Sequence, residues 1–479
     1  MARSLSRNTQ LYISTESGGI SSPTYKNLYE VKVLDGYNYG QDTNSIEVGV
    51  NEAGSSPVRG TLAFNTALNP ADVTFSTYVR PYENTVQIDG TASAGTDCVE
   101  RVLWASAMGT TASYTYVVTN GATANYVIED QDNTTIQFGL AASNNNELMT
   151  LTLYFVLENT TYVVDNFNVA TAEVDFSIDG IATINWSGQG SLVHEDKNFN
   201  SAYFAGLTAG TDYTAVPETT ANSFLRNKLS VLTLKNNVTG TPEYASEAIT
   251  SVSGNNITYT GTTFQTDETA LNAAGDTFIG GRIYNSTRTQ WRTILSITSD
   301  TVLVVDSATD GDSAQTDGWT GTDTSHIYSA LTDAGVIYNI PITGATLTLE
   351  NNFTYLTPEE LAIVNLPLAG FAGNRVVSGS LTAYLNSGAE GSGGLLQDML
   401  AKIEESVTNN YELVFKMGGS SGRRVEFTLP TCQLGIPSIN VEDIIATEIA
   451  FTSKPTIGSA GSEVGSFEAT NELVINYYD

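Results

Sequence analysis

The sequence predicts a mainly β protein: two tandem β-sandwich or half-barrel domains, each with one helix, plus a small inserted all-β domain. Three observations predict it. Runs rich in Val, Ile, Thr and Tyr alternate with Gly, Ser, Asn and Asp along most of the chain, the pattern of strands joined by tight turns. The stretch from Arg375 to Phe451 reads as strand, helix, then further strands. The order of elements around that stretch recurs in the first half. With 479 residues, 41% of them hydrophobic, the chain can fill more than one core.

The first strand is expected over residues 6–14. A Gly/Ser/Pro loop at 15–26 leads to strands at 28–34, 45–50 and 73–80, the last closed by Pro81. Asp97 and Glu100 have capping-box spacing for a helix reaching Met108. Val99, Val102 and Leu103 lie on one side of it, and Gly109 marks its stop. Strands follow at 149–156, 162–164 and 173–186.

The second half repeats this order. Arg7-Asn8 before the first strand recurs as Arg226-Asn227 before a strand at 229–234. The strand at 73–80 corresponds to 378–385, and the helix at Val99 to one at Leu395. Asp179-Gly180-Ile181-Ala182-Thr183 corresponds to Asp443-Ile444-Ile445-Ala446-Thr447, each read as lying inside a strand late in its half. The second helix takes Ser392 as N-cap, and Leu395, Leu396, Met399, Leu400, Ile403 and Val407 mark one buried stripe at helical period. Strands at 411–417, 424–429 and 439–451 complete the half, with Gly-rich turns at 388–394 and 418–422.

These matches imply a duplication. The first copy spans 1–220; the second spans 221–237 and 334–479. Residues 238–333, rich in Thr, Asp and Gly, form the inserted β-domain, with short strands at 257–259, 278–284, 291–297 and 301–305. The first copy keeps only the loop 15–26 at that place, so the insertion is expected as a surface decoration.

Charge narrows the function. Against 52 Asp+Glu stand 20 Lys+Arg, a formal net charge of -32, which argues against binding nucleic acid through phosphate neutralisation. No signal peptide is visible behind Met1, and no apolar run approaches membrane-spanning length. Two cysteines, Cys98 and Cys432, are too few for a disulfide framework.

Catalytic constellations are missing as well. His194 and His326 are far apart with no Cys/His cluster, and read as solvated loop residues rather than zinc or triad members. The Gly-rich turns lack a Lys-Ser/Thr ending and are not phosphate cradles. The acidic loop 306–312 has calcium-loop chemistry without the EF-hand spacing and reads as solvated. No acid stands out as a glycosidase carboxylate. No enzyme, metal or cofactor is expected.

One acidic pattern does stand out. Glu173-Val174-Asp175-Phe176-Ser177-Ile178-Asp179 alternates strictly, acids and Ser against Val, Phe and Ile. In the second copy Ser438, Asn440 and Glu442 alternate with Ile439 and Val441. This is either an ordinary solvent face or the lining of a water-filled interior that repels phosphate, with Glu173, Asp175, Asp179 and Glu442 as its acids.

Several pieces together resemble the tail tube proteins of tailed bacteriophages. They are Ser6-Arg7-Asn8-Thr9, the segment Phe75-Ser76-Thr77-Tyr78-Val79-Arg80-Pro81, the run from Ile178 to Gly188 with Asn185-Trp186-Ser187-Gly188, and Ser378-Gly379-Ser380-Leu381-Thr382-Ala383-Tyr384 ahead of the Leu395 helix. The resemblance spans both halves but not the insertion. It implies a structural virion protein, made in the host cytoplasm, whose subunits form stacked rings around an acidic bore. DNA passes through that bore without specific binding, and other tail proteins meet the tube ends. With two tube domains per chain, a trimeric ring imitating a hexamer is favoured over six chains. The alternative is a capsid-decorating or receptor- or glycan-binding phage surface protein using the inserted domain.

Overall fold

The computed structural model describes residues 9–16, 19–23, 27–48, 62–80, 83–87, 94–97, 100–108, 133–137, 148–158, 160–177, 180–209, 211–213, 225–236, 243–274, 277–279, 281–287, 290–305, 319–329, 337–338, 340, 342–357, 365–386, 391–404, 411–418, 424–436, 438–440, 446–454 and 472–478. Strands dominate. The chain opens with β1 (Thr9–Ser14), β2 (Leu28–Val31), β3 (Asn38–Gly40), β4 (Thr43–Val48), β5 (Leu62–Leu68) and β6 (Ala71–Tyr78). Then come β7 (Glu83–Gln87), β8 (Ala94–Asp97), α1 (Arg101–Met108) and β9 (Asn133–Gln137). The half closes with β10 (Leu151–Leu157), β11 (Thr160–Asp175), β12 (Thr183–Gly190), β13 (Leu192–Glu195) and α2 (Ser201–Ala205).

The second half starts at β14 (Val231–Asn236). It continues through β15 (Tyr244–Ser253), β16 (Asn256–Tyr259), α3 (Phe264–Ala274), β17 (Arg282–Asn285), β18 (Gln290–Ser299), β19 (Val302–Val305) and β20 (Thr324–Ile327). Next are β21 (Ile337–Tyr338), β22 (Ile342–Glu350), β23 (Thr354–Leu356), β24 (Ala369–Phe371), β25 (Val376–Tyr384) and α4 (Ser392–Glu404). β26 (Tyr411–Met417), β27 (Arg424–Leu434), β28 (Ser438–Asn440), β29 (Ala446–Ser453) and β30 (Val474–Tyr478) finish it.

The two halves pair their strands in the same order. The first has β2–β1–β10–β11–β13, and the second β21–β14–β26–β27–β30. β3–β6–β12–β11 likewise has its counterpart in β22–β25–β29–β27. α1 lies between β6 and β10 in sequence, α4 between β25 and β26. β11 is long because it serves two sheets. Its first part pairs with β10 and β13, its last part with β12 and β22. The bend between them falls at Asn166, whose φ of 50° is a left-handed conformation that Asn tolerates.

The closed barrel β15-β16-β19-β18-β17-β20 sits between β14 and β21, where the first half has only the connection from β1 to β2. Its core, with Ile249, Ile257, Tyr259, Phe264, Ile283 and Leu303, is separate from the main one. The expectation of an all-β insertion needs correction, because α3 packs Phe264 into that core.

The main core runs through both halves without a break. Trp104 on α1 meets Trp186 on β12 edge-on at 4.8 Å and donates its indole N–H to the Tyr477 hydroxyl on β30 at 3.0 Å. Phe176 stacks near Phe415 at 4.8 Å. Buried Asn351, just past β22, donates to the carbonyls of Ala107 and Val169, tying the second half to α1 and β11. Such polar contacts satisfy backbone acceptors that burial would otherwise leave without partners.

Local readings also change. Asp97 ends β8 instead of capping a helix; the helix starts at Arg101, with the Glu100 carbonyl accepting from Leu103 and Trp104. The single strand expected at 173–186 is two, β11 and β12, joined where the Ser177 N–H donates to the Asp175 carboxylate and turns the chain. The strand expected at 439–451 is likewise the antiparallel pair β28–β29. Arg226-Asn227 leads into a 3-10 turn, Asn227–Leu229, and not directly into a strand. Arg7-Asn8, Val99, Gly109 and the acidic loop 306–312 lie outside the described residues.

On α4 the buried stripe is narrower than expected. Leu395 and Met399 are fully buried, Leu396 is partly exposed, and Leu400 is 45% exposed. The side chain of Ile403 and all of Val407 lie outside the described residues. Ser392 does not cap the helix. Its hydroxyl accepts from the Asn386 N–H and donates to the Tyr384 carbonyl, clamping the helix start to the end of β25. Leu395→Ala is therefore expected to destabilise the main core by about 2–5 kcal/mol, and Leu400→Ala to cost less than ~0.5 kcal/mol. Urea denaturation of the two variants checks this.

Glu100 supplies a second test. Its carboxyl is fully buried, accepts from the Tyr477 hydroxyl at 3.3 Å, and is pushed up to about 7 by burial, partly opposed by Arg80. Because the folded value lies above the unfolded 4.5, the fold holds a proton the unfolded chain has released. That stabilisation is complete below about 4.5 and is lost as pH rises through about 7. Glu100→Gln should flatten this part of the melting-temperature-versus-pH curve, as thermal scans at pH 5 and pH 8 would show.

Candidate functional site

Alternation along a strand puts every second residue on the same face of a sheet, and pairing extends each face sideways. In the series β3, β6, β12, β11, β22, β25, β29, β28 the inward residues join the core: Val73, Phe75, Ile184, Trp186, Ala172, Val174, Leu347, Leu349, Val377, Leu381, Ile449 and Phe451. The opposite face is polar. One row across it reads Ser76, Asn185, Glu173, Thr348, Ser378, Thr452, each residue directly beside the next. The adjacent row reads Tyr78, Thr183, Asp175, Thr346, Ser380, Ala450.

Both rows cross from the first half to the second at one joint. There β11 and β22 pair from Thr171↔Glu350 to Asp175↔Thr346. The two halves therefore present a single face. Cross-strand hydrogen bonds order it: Ser76 donates to Asn185 at 2.7 Å, Gln189 donates to Asp72 at 2.9 Å, and the Thr346 and Ser380 hydroxyls meet at 3.4 Å.

The electrostatics of this face follow from composition. None of the eight strands contains a Lys or Arg, although the chain has 20. Asp72, Glu173, Asp175, Glu350 and Glu448 lie on the polar face, so its formal charges all have one sign. Strands elsewhere do carry cations, among them Lys235 on β14, Lys416 on β26 and Arg424 on β27. Lys416 and Arg424 both meet Glu426, at 3.5 and 2.6 Å.

Of the acids singled out from the sequence, Glu173 and Asp175 lie on this face, opposite buried Val174 and Phe176. Asp179 and Glu442 lie outside the described residues. Ser438 and Asn440 form the ends of β28, in register with Glu448 and Ala446. Sequence reasoning missed Asp72, Glu350 and Glu448, since each stands alone in its strand and reaches the face only through pairing.

Two close packings keep the face smooth from behind. A Cβ on Gly379 would lie 2.0 Å from the Thr346 carbonyl oxygen and 2.5 Å from the Phe451 ring, so glycine lets that ring lie against the sheet. Gly188 does the same beneath the Phe167 ring.

The other candidates have structural explanations. The histidines are not loop residues. His194, on β13, pairs with Asp165 at 3.2 Å; His326, on β20, accepts from the Ser246 N–H at 3.2 Å and stacks on Tyr284. Among the described residues no group of three or more His, Cys, Asp or Glu could hold a metal ion. The Cys432 thiol is buried and pushed up to about 12 by that burial. No helix among the described residues is long and apolar enough to cross a membrane.

Gly379→Ala should cost about 1–3 kcal/mol by forcing Phe451 and β22 apart. Ser378→Ala, one residue earlier on the polar face, should change stability by less than ~0.5 kcal/mol. Chemical denaturation of the two variants gives the comparison.

No family model matches the chain. The chain is similar to a curated protein, the tail tube protein pb6 of Escherichia phage T5. The two are 26% identical over 471 residues, covering 97% of this chain and 75% of that protein.

Proposed function

We propose that the chain is a tail tube protein of a tailed bacteriophage, a structural subunit whose polar sheet face lines the conduit for the genome. The similarity to a tail tube protein over 97% of the chain supports the family. The observation that carries the role is the single cation-free face built from both halves. A polyanion moves through a channel only where no fixed cations hold its phosphates, and sparse acids add mild repulsion. Hydroxyl and amide groups keep the wall wetted without offering it charge. The role is structural, with no reaction assigned to it.

Ring formation follows from the ends of the sheet. Among the described residues β3 pairs only with β6, and β28 only with β29. An open edge is a template for another strand. In this reading the joint between β11 and β22 recurs between chains, with β28 of one copy beside β3 of the next. The repeated pairing order supports a duplicated tube domain, with the inserted barrel on the outside.

Strand counting then favours three chains per ring. Eight wall strands from each of three chains make ~24, which at ~4.8 Å spacing and ~40° tilt enclose a backbone diameter of roughly 50 Å. Six chains would double that diameter, far beyond what a duplex needs. Native mass spectrometry of assembled rings should find three chains; six would overturn the duplicated-domain arrangement.

The lining is tested by charge reversal. Glu173→Lys with Asp175→Lys should fold and assemble like the parent. Tubes of this variant should retain duplex DNA in a sedimentation assay, more at low salt than at high salt. Equal passage of DNA through parent and variant would place these side chains elsewhere.

A further inference from the structure

The inserted barrel carries an outer face that plays no part in the conduit. β17 alternates cleanly: Ile283 and Asn285 are fully buried, and Tyr284 between them is partly exposed. β20 does the same, with Ser325 and Ile327 buried and His326 between them partly exposed. Tyr284 and His326 are directly opposite in the ladder. Their rings lie nearly parallel, 19° between planes, with centroids 6.2 Å apart. On the other side of β17, Trp291 is in register with Tyr284. Three ring-bearing positions therefore cross β18, β17 and β20 in one row.

Beside the rings the face continues in hydroxyls. Ser286, one step past β17, donates its hydroxyl to the Thr324 carbonyl at 2.9 Å, and the Thr287 hydroxyl accepts from the Thr324 N–H at 2.9 Å. His326 is held by a device from a third strand. The β15–β20 register slips between Tyr244 and Glu247, and inside that bulge Ser246 has a φ of 59°, a left-handed conformation uncommon for Ser. The Ser246 N–H donates to His326 Nδ1 at 3.2 Å. A neutral imidazole that accepts at Nδ1 carries its proton on Nε2, so the other edge of the ring is a donor. The bulge thus fixes both the ring and its tautomer on the outer face.

Charge decides what such a row can take. Residues 238–333 contain 12 Asp+Glu against three Arg and no Lys. That balance repels a polyanion such as single-stranded nucleic acid, whose bases would otherwise suit a row of rings. A protein partner needs a broader apolar surface than one row of rings bordered by hydroxyls. An uncharged saccharide fits both features. Its C–H faces lie on aromatic rings, and its hydroxyls pair with the His, Ser and Thr groups beside them.

We propose that the outer face of the inserted barrel, centred on Tyr284 and His326, binds an uncharged saccharide. The parallel Tyr284 and His326 rings are the platform, His326 Nε2–H donates to a sugar hydroxyl, and the Trp291 position extends the row toward a second sugar unit. The site is separate from the polar sheet face, because it belongs to a closed barrel with its own core. One consequence rests on the tube reading: barrels repeated along a tube would act together on one polysaccharide, so each site can be weak.

The test uses the full chain and three probes: a hexamer of β-linked glucose, a hexamer of N-acetylglucosamine, and a thymidylate decamer for comparison. Saturation-transfer NMR should show at least one saccharide bound and the oligonucleotide unbound. Tyr284→Ala with His326→Ala should weaken saccharide binding by roughly tenfold or more at an unchanged melting temperature. A second measurement needs no variant. The chain has two histidines, so their imidazole resonances can be followed singly, and His326 should shift on adding saccharide while His194 stays in place.

Absence of transfer to both saccharides would overturn the proposal, as would parent-like binding by the folded double variant. A His326 resonance that does not move when saccharide binds would place the sugar elsewhere and overturn it too. Binding of the oligonucleotide in place of the saccharides would assign the row to nucleic acid and overturn the saccharide reading. None of these measurements reads assembly, so the tube reading stands or falls separately.

Discussion

Five residues of β11 pair with five of β22, from Thr171↔Glu350 to Asp175↔Thr346, and the rest of the architecture depends on that ladder. Without it each half would end in an open strand with a row of unpaired backbone groups, which is costly when buried and prone to aggregation when exposed. With it, two four-strand units become one sheet, and the core beneath them becomes continuous. Trp104, Trp186 and Tyr477 come from distant parts of the chain and meet because the ladder has already brought their strands together. The inserted barrel closes on itself, needs no such joint, and keeps its own core.

This dependence explains the division of labour between the two faces of the sheet. The inner face takes large apolar side chains, with glycine where rings lie flat against the backbone, as at Gly379 and Gly188. The outer face cannot be apolar if it is to stay wet, and it cannot be cationic if it is to leave phosphate unbound. Ser, Thr, Asn and Gln meet both conditions and still bond across strands, as Ser76 does with Asn185. In the proposed conduit acids need only be sparse, because repulsion in a confined channel sums over many subunits.

Much of this was legible in the sequence, and what was not has physical causes. The alternation at Glu173–Phe176 assigned both faces correctly because a strand's period survives any tertiary context. It misled beyond Asp175, since alternating residues can continue into a turn made by a side-chain-to-backbone bond that no pattern reveals. The same error merged β28 with β29. α3 went unseen because its N-terminal cap is not local. The Asp300 carboxylate, 35 residues along the chain, accepts from the Gln265 and Thr266 N–H groups. α4 was visible from its apolar spacing, yet periodicity could not say that Leu400 stays exposed, which depends on how far the neighbouring strands reach. Asp72, Glu350 and Glu448 were invisible singly, since only strand pairing puts them on one face.

The lengths of the two strands that, among the described residues, pair on one side only add a last constraint. β3 and β28 are three residues each, so the proposed lateral joint between copies offers few backbone hydrogen bonds, each worth only about 0.5–1.5 kcal/mol net. Association also costs at least several kcal/mol in lost translational and rotational freedom. A single lateral contact is therefore weak, and short edges keep isolated subunits from pairing indiscriminately. In the proposed ring, a subunit that makes both of its lateral joints at once combines the two free energies against one entropic cost. Closing a ring is then favoured over leaving open pairs of subunits.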